Sequence, residues 1–414
     1  ESALAAGATV DAFAAIERLA NLPDGAATTK AFRALLTLQG IDAAAPATSS
    51  DTASDERDRR ARAAALAAEA VALDAKNPRA WLATSYARQA QLDLDGALAA
   101  AQEAAKFAPD GFHRARIAEL QLALGNVRAA RQSAHAAVFI SPEEPRAHQM
   151  LGFAQLASQR PDDAEPAFER AVELDDQDPY ARLGLGLAKI RRGRVADGRA
   201  DLEIAVALDP RDAFLRGYLG RAYFDEGGNK RMALAGDQLA MAKALDPLDP
   251  TPWLHEGVRL QWLNRPMEAL AEFRESIERN DHRAVYRSSQ LLDRDLAERL
   301  VQRGQTYETL GLSQLAQQEA ASAIEHDPTD SAAHRALSRS LSYAPRQEIN
   351  RVSETLVAKL LQPTAAYPID TRAATSNLGI APGAEPLLAG ATGSSSLLGR
   401  DGYGGLVGIT GGNR

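Results

Sequence analysis

The sequence predicts an all-α fold, a right-handed superhelical solenoid of helix-turn-helix repeats, and three observations carry that expectation. Pro145–Asp176 is followed by a near copy, Pro179–Pro210, in which Gly186 answers Gly152, Ala205 answers Ala171 and Leu208 answers Leu174, each at an offset of 34 residues. A period of that length, with small residues at fixed places, marks helix pairs that bury their apolar faces only by stacking. The composition is rich in Ala and Leu and only 5% aromatic, as helices packed through small side chains require. A Pro or Asp closes each copy, and Pro cannot continue a helix because it lacks the N–H.

Composition also limits the function. A formal net charge of -8 disfavours nucleic acid as a partner, because phosphate-backbone binders concentrate Lys and Arg. With no cysteine, disulfides and thiolate metal sites are excluded. No run of about 18 apolar residues is present to span a bilayer as a helix. The chain begins at Glu1 without Met or signal peptide, which implies either a removed leader or missing upstream sequence.

Taken in order, residues 1–77 read as degenerate N-terminal repeats. Val10, Phe13, Ile16, Leu19 and Leu22 form one helical stripe that stops at Pro23, as the second helix of a truncated pair would. Thr28–Leu38 reads as a first helix with Thr28 or Thr29 as N-cap and Phe32, Leu35 and Leu36 facing inward. Residues 41–55, rich in Ala, Ser, Thr and Asp and without periodicity, read as a flexible insertion. The mixed charges of Asp55–Arg62 read as the solvated start of the next helix.

From Pro78 to Pro363 the array becomes regular. One small residue recurs early in each first helix (Ser85, Ala118, Gly152, Gly186, Gly220, Gly257, Gly304, Ser338). Two recur in each second helix, beginning with Ala97 and Ala104 and ending with Ala316 and Ala323. Antiparallel helices nest closely only where neither carries a large side chain at the crossing. This pattern resembles the tetratricopeptide repeat family, with Trp81 and Trp253 at its bulky early position and Pro109, Pro142, Pro210, Pro247 and Pro328 closing repeats. Two intervals depart from the period. Pro210 to Pro247 spans 37 residues, the excess falling near Gly227–Asp237, and Asp281 to Pro328 spans 47, the excess being His282–Arg294. That second insertion carries Arg283, Arg287, Tyr286 and a Leu-Leu pair, and packing over the edge of the solenoid would account for it.

The last pair ends in an amphipathic helix with Ile349, Val352, Leu356 and Leu360 on one stripe. Residues 364–414 turn Gly- and Ser-rich and read as an extended tail, whose Leu406, Val407 and Ile409 suggest a lone strand.

No catalytic constellation emerges, and neither a cofactor nor a metal is expected. Gly184–Lys189 lies within a first helix, so it is packing and no phosphate loop. The seven histidines include no pair at i, i+4, and His148 and His334 occupy the bulky helix position, which makes them structural. An enzyme would need a catalytic domain outside this chain.

What remains is a surface. In the family resembled, first helices line a concave groove, and the matching positions here include Tyr86, Arg146, Gln149, Phe153, Arg221, Phe224, Gln305, Arg335 and Arg339, with Trp262 beside them. Aromatic and Arg side chains suit an extended peptide as anchors or a glycan by stacking. Several of them, Phe153 and Phe224 above all, could equally be core between repeats. The Lys and Asn of the carboxylate clamp that holds heat-shock C-termini are replaced by pairs such as Leu82 and Tyr86, or Gln149 and Phe153, which disfavours that partner.

A closer resemblance rests on Gly184–Gly193, Arg283–Asp295, Ser331–Ser340 and Glu348–Pro363. These look like the repeat region of bacterial proteins in which tetratricopeptide repeats precede a C-terminal outer-membrane β-barrel, often with a FecR-like domain upstream. The resemblance implies a non-enzymatic scaffold in the periplasm or outer membrane of a Gram-negative bacterium. Its groove would hold a protein, a peptide or an exported polysaccharide, and its tail would begin a barrel not present in this chain. The alternative is a structural subunit of a surface assembly, self-assembled by donating the strand within Gly402–Arg414.

Overall fold

The computed structural model describes residues 16, 18, 25–38, 53–342 and 347–361. Among the described residues the chain is helical without a strand. Helices follow in pairs: α1 (Gly25–Leu38) with α2 (Ala53–Leu73), α3 (Pro78–Ala90) with α4 (Leu94–Phe107), α5 (Gly111–Ala123) with α6 (Val127–Ile140), α7 (Pro145–Ala157) with α8 (Pro161–Leu174), and α9 (Pro179–Arg191) with α10 (Val195–Leu208). The second half adds α11 (Ala213–Glu226) with α12 (Asn229–Leu245), α13 (Pro250–Trp262) with α14 (Pro266–Glu278), α15 (Ser289–Thr309) with α16 (Ser313–His326), and α17 (Ser331–Leu341) with α18 (Glu348–Leu361). Each helix packs on its neighbours in sequence. First helices of several successive pairs also touch, among them α1 on α3, α5 on α7, α7 on α9 and α11 on α13. This is the predicted all-α solenoid.

The small residues set the helix crossings. Ser85, Ala118, Ala97, Ala104, Ala130 and Ala137 are all fully buried, and their counterparts through Ala323 are buried too. At some first-helix glycines an aromatic ring from a second helix fills the space, while Gly186 and Gly220 face Leu202 and Leu239. Phe168 of α8 lies where a Cβ on Gly152 or Gly184 would stand, at 2.7 and 2.1 Å, and Phe273 does the same opposite Gly257 at 2.5 Å.

Helix starts follow from the Asp and Asn that precede the prolines. Asn77, Asp178 and Asp249 accept hydrogen bonds from first-turn amides, with Pro at the first helical position, where its missing N–H costs nothing. Asp212 and Asp330 cap α11 and α17 in the same way. A second device ties successive pairs together. The residue at the bulky early position donates a side-chain N–H to the carbonyl six residues back, across the turn. Trp81 Nε1 reaches Ala75 O at 2.8 Å, Trp253 Nε1 reaches Pro247 O at 3.3 Å, and Arg216 Nε reaches Pro210 O at 2.8 Å. His148 Nε2 meets Pro142 O at 2.7 Å and His334 Nε2 meets Pro328 O at 3.0 Å, so these two histidines complete turns.

Some expectations shift. α1 starts at Gly25, so Thr28 and Thr29 lie within the helix and cap nothing. Thr29 is buried, and the Thr28 hydroxyl accepts from Asn77 Nδ2 at 2.9 Å. α2 starts at Ala53 and takes the last residues of the predicted insertion. The rest of that insertion, the stripe around Val10–Leu22 apart from Ile16, and the tail 364–414 with Leu406–Ile409 lie outside the described residues. The excess near Gly227 lengthens α12 to 17 residues, against 14 in α10. The excess after Asp281 is divided. A 3-10 turn (Asn280–Arg283) and a short irregular stretch lead into α15, which runs 21 residues against 13 in α13.

Candidate partner-binding surface

Four of the ten predicted groove residues are taken up inside the molecule. Tyr86 is buried with the Arg116 guanidinium 3.8 Å from its ring centroid, and its hydroxyl accepts from Arg146 Nη2 at 3.2 Å. Arg146 also pairs with buried Glu119, whose other oxygen holds Arg116 Nη1 at 2.6 Å. Burial opposes the charge on Arg146, but Tyr86 and Glu119 outweigh it and raise its pKa. Buried guanidiniums need such partners, because an uncompensated charge in this setting is costly. Gln149 is buried and donates Nε2 to Asp178 Oδ2 at 2.5 Å, bracing the N-cap of α9. Phe153 is fully buried edge-on to Phe168 at 4.8 Å. None of these four is open to a ligand as the chain stands. Their helical position pointed inward, but sequence could not say whether inward meant groove or neighbour.

Three of the predicted residues do come together at an accessible place. Arg221 is buried and forked onto Asp225, with Nε 3.0 Å from Oδ2 and Nη2 2.8 Å from Oδ1, and its guanidinium lies 5.0 Å from the Phe224 centroid. Burial pushes the Asp225 carboxyl up to about 6, with Arg221 pulling the other way. Phe224 meets Trp262 edge-on at 6.3 Å and 88°. Trp262, the last residue of α13, is 74% exposed. Leu263 and Met267, across the turn into α14, are exposed too. Neither stood out in the sequence, because turn positions fall outside the helical period; only their proximity to Trp262 could have signalled them. Gln305 is half-buried on α15. Arg335 and Arg339 are exposed on α17, within reach of Ser331 at 3.1 Å and Glu308 at 3.4 Å.

The N-terminal pairs pack against a later part of the chain itself. Val285 and Tyr286, from the stretch before α15, are buried in one apolar cluster with Leu38, Leu82, Tyr86, Ala90 and Phe112. The insertion therefore enters the stack, where an edge-packing role was expected.

Elsewhere the polar groups are engaged structurally. A cleft of about 380 Å³ lined by Arg194, Asp197, Asp225 and Glu226 has its inner carboxylates in ion pairs, Asp225 with Arg221 and Glu226 with Arg199 and Arg231. Among the described residues no three His, Asp or Glu side chains are placed to hold a metal ion, and no helix is long and apolar enough to cross a membrane. The C-terminal stripe Ile349, Val352, Leu356 and Leu360 faces outward, while Ala358 is buried.

Residues 145–178 match the tetratricopeptide repeat model. That span is α7, α8 and the N-cap of α9, the segment with the clearest internal copy. No curated protein matches the chain. Among solved structures, one chain of the APC/C hetero-tetramer Cut9–Hcn1 aligns over 87% of this chain at 15% identity, with a TM-score of 0.59. The present chain spans 62% of that protein. A tetratricopeptide repeat protein from Parabacteroides merdae aligns over 58% of this chain and 92% of its own, at 17% identity and a TM-score of 0.44. A thermophilic protein of the same repeat type from Thermus thermophilus aligns over 44% and 99%, at 23% identity and a TM-score of 0.41. The fold is that of a tetratricopeptide repeat solenoid.

Proposed function

We propose that this chain is a non-catalytic scaffold that docks a protein partner at the rim formed by Phe224, Trp262, Leu263 and Met267. The observation that carries the proposal is Trp262, an indole 74% exposed yet braced edge-on by Phe224, whose own face is covered by Arg221. An aromatic fixed before binding loses little rotamer entropy on association, which is the property of an interface anchor. Replacing it with Ala should weaken partner binding by about 2 kcal/mol or more, close to thirtyfold in Kd. A photo-crosslinking amino acid at Met267, expressed in the native host, should give a covalent adduct with a polypeptide that disappears in the Trp262→Ala background. An adduct that persists in that background would sink the proposal.

The exposed indole would also stack on a sugar ring, which is the support for an exported polysaccharide as ligand. Affinity electrophoresis through gels containing the host's surface polymer, with Trp262→Ala as control, separates the two ligand classes. A place in the periplasm beneath an outer-membrane barrel rests on the sequence resemblance of Gly184–Gly193, Arg283–Asp295, Ser331–Ser340 and Glu348–Pro363 alone.

A further inference from the structure

The insertion between α14 and α15 does what no repeat requires. After Arg283 the chain turns on itself through Ala284 N–H to Asp281 C=O at 3.2 Å and Tyr286 N–H to Arg283 C=O at 3.1 Å. This turn presents Val285, 0% exposed, and Tyr286, 4% exposed, to α1, α3 and α5. Two contacts fix its position there: Ser288 N–H donates to Ala123 C=O at 3.1 Å, and Leu291 lies over Gly125, where a Cβ would meet it at 3.5 Å. The shape of the turn is set at its own end of the molecule. Arg283 Nη1 and Arg287 Nη2 grip the two oxygens of buried Asp295 at 2.8 and 2.6 Å, and Arg299 Nη1 holds Asn280 Oδ1 at 2.5 Å. A preformed turn from the second half of the chain thus packs against the first half.

We propose that the surface of α1, α3 and α5 under this turn is a peptide-binding site that the chain keeps filled with its own Val285–Ser288 turn. The partner it fits is a turn-forming protein segment that presents an aliphatic–aromatic pair next to Arg, which takes the site by displacing the resident turn. The floor is suited to such a segment, since Leu82, Tyr86 and Phe112 supply apolar surface, with Arg116 stacked on Tyr86 and Arg146 5.1 Å from the Phe112 centroid. A tethered occupant competes at an effective concentration on the order of millimolar, so the apparent affinity for an outside segment falls by the fraction of molecules that are open. Binding here is therefore conditional, and the Trp262 rim is a separate surface, so either can fail alone.

The absence of cysteine makes the test clean. Ala123→Cys with Ser288→Cys places two thiols at the residues joined by the Ser288 N–H to Ala123 C=O hydrogen bond, and loss of free thiol on oxidation reports that the disulfide has formed. The probe is a fluorescein-labelled peptide with the sequence of His282–Arg294. Val285→Ser with Tyr286→Ser should bind it at least tenfold more tightly than the unsubstituted chain, and the oxidised cysteine pair should bind none until reduced. Hydrogen exchange on the unsubstituted chain gives a second readout, in which the Ser288 amide should exchange faster than the central amides of α3. Binding by the oxidised pair, no gain in a folded release variant, or Ser288 exchange as slow as α3 would each overturn the proposal. If the release variant fails to fold, the exchange rate decides.

Discussion

His255 on α13 shows how surroundings decide what an ionisable side chain does in this stack. It is 4% exposed and hydrogen-bonded to the backbone of Gly217, and burial, followed by the nearby charges of Arg221, Arg299 and Arg283, lowers its pKa to about 3. The imidazole is neutral in the folded chain, while in the unfolded chain it protonates near pH 6.5. Below pH 6.5 the unfolded state binds the extra proton. The stability contributed by His255 is thus complete above pH 6.5 and is lost as pH falls toward 3, by up to about 1.4 kcal/mol per pH unit. Asp178 and Asp225 act in the opposite sense. Burial raises both carboxyls to about 6, so their contribution is present below the ordinary carboxylate range and is lost as pH rises through 6. Comparison with His255→Gln cancels those two groups. The stability of the unsubstituted chain minus that of the variant, from urea melts, should fall steadily from pH 6.5 to 4.5, and a flat difference would contradict the neutral buried imidazole.

At the scale of helices, α9 and α10 cross with a glycine on each side of the contact. A Cβ on Gly198 would stand 2.3 Å from the Gly186 carbonyl oxygen and 2.5 Å from Ile190 Cγ1, and a backbone oxygen cannot swing aside. Gly198→Ala should therefore cost about 1–3 kcal/mol despite the better helix propensity of Ala. Gly304 on α15 is the contrast, because a Cβ there would stand 3.1 Å from Glu319 Cβ and 3.5 Å from Ala316 O, so a shift of a few tenths of an ångström between the helices relieves the contact. Gly304→Ala should be close to neutral, and thermal melts should rank the two variants in that order. These crossings were legible because a repeat records the contact each pair makes with the next. Ala97, Ala130 and Ala164 mark one position of that contact three times over, and all three are fully buried. Other features left no trace. That Trp81, His148 and Arg216 share a ring or guanidinium N–H aimed at a turn carbonyl is a chemical likeness that size and hydropathy patterns do not register. Nor could position along a helix separate Phe153, locked against Phe168, from Trp262, left exposed; the difference lies in what the adjoining helix places opposite.

At the scale of the whole molecule, the period reports only neighbours, so the length of the His282–Arg294 insertion was legible and its destination was not. Tyr286 joins the cluster of Tyr86, 200 residues earlier in the chain, and no local pattern encodes a contact at that separation. The contact changes the mechanics. A plain solenoid is held together by nearest-neighbour interfaces, and its ends can unfold while the middle persists. Here the turn before α15 couples the first three helix pairs to the last two, and opening either end must also expose Val285 and Tyr286. Urea unfolding should accordingly be a single transition with the same midpoint by circular dichroism and by Trp fluorescence, since Trp81 reports on α3 while Trp253 and Trp262 report on α13. Val285→Asp places an unpaired carboxylate in the cluster and should release the tie, at a cost of a few kcal/mol. The transition should then split, with the N-terminal pairs melting first and the midpoints about 1 M apart for an m-value of a few kcal/mol/M. A Val285→Asp chain that still unfolds in one step with an unchanged m-value would mean that neighbour contacts alone hold the array together, and that the turn rests on the N-terminal pairs without coupling to them.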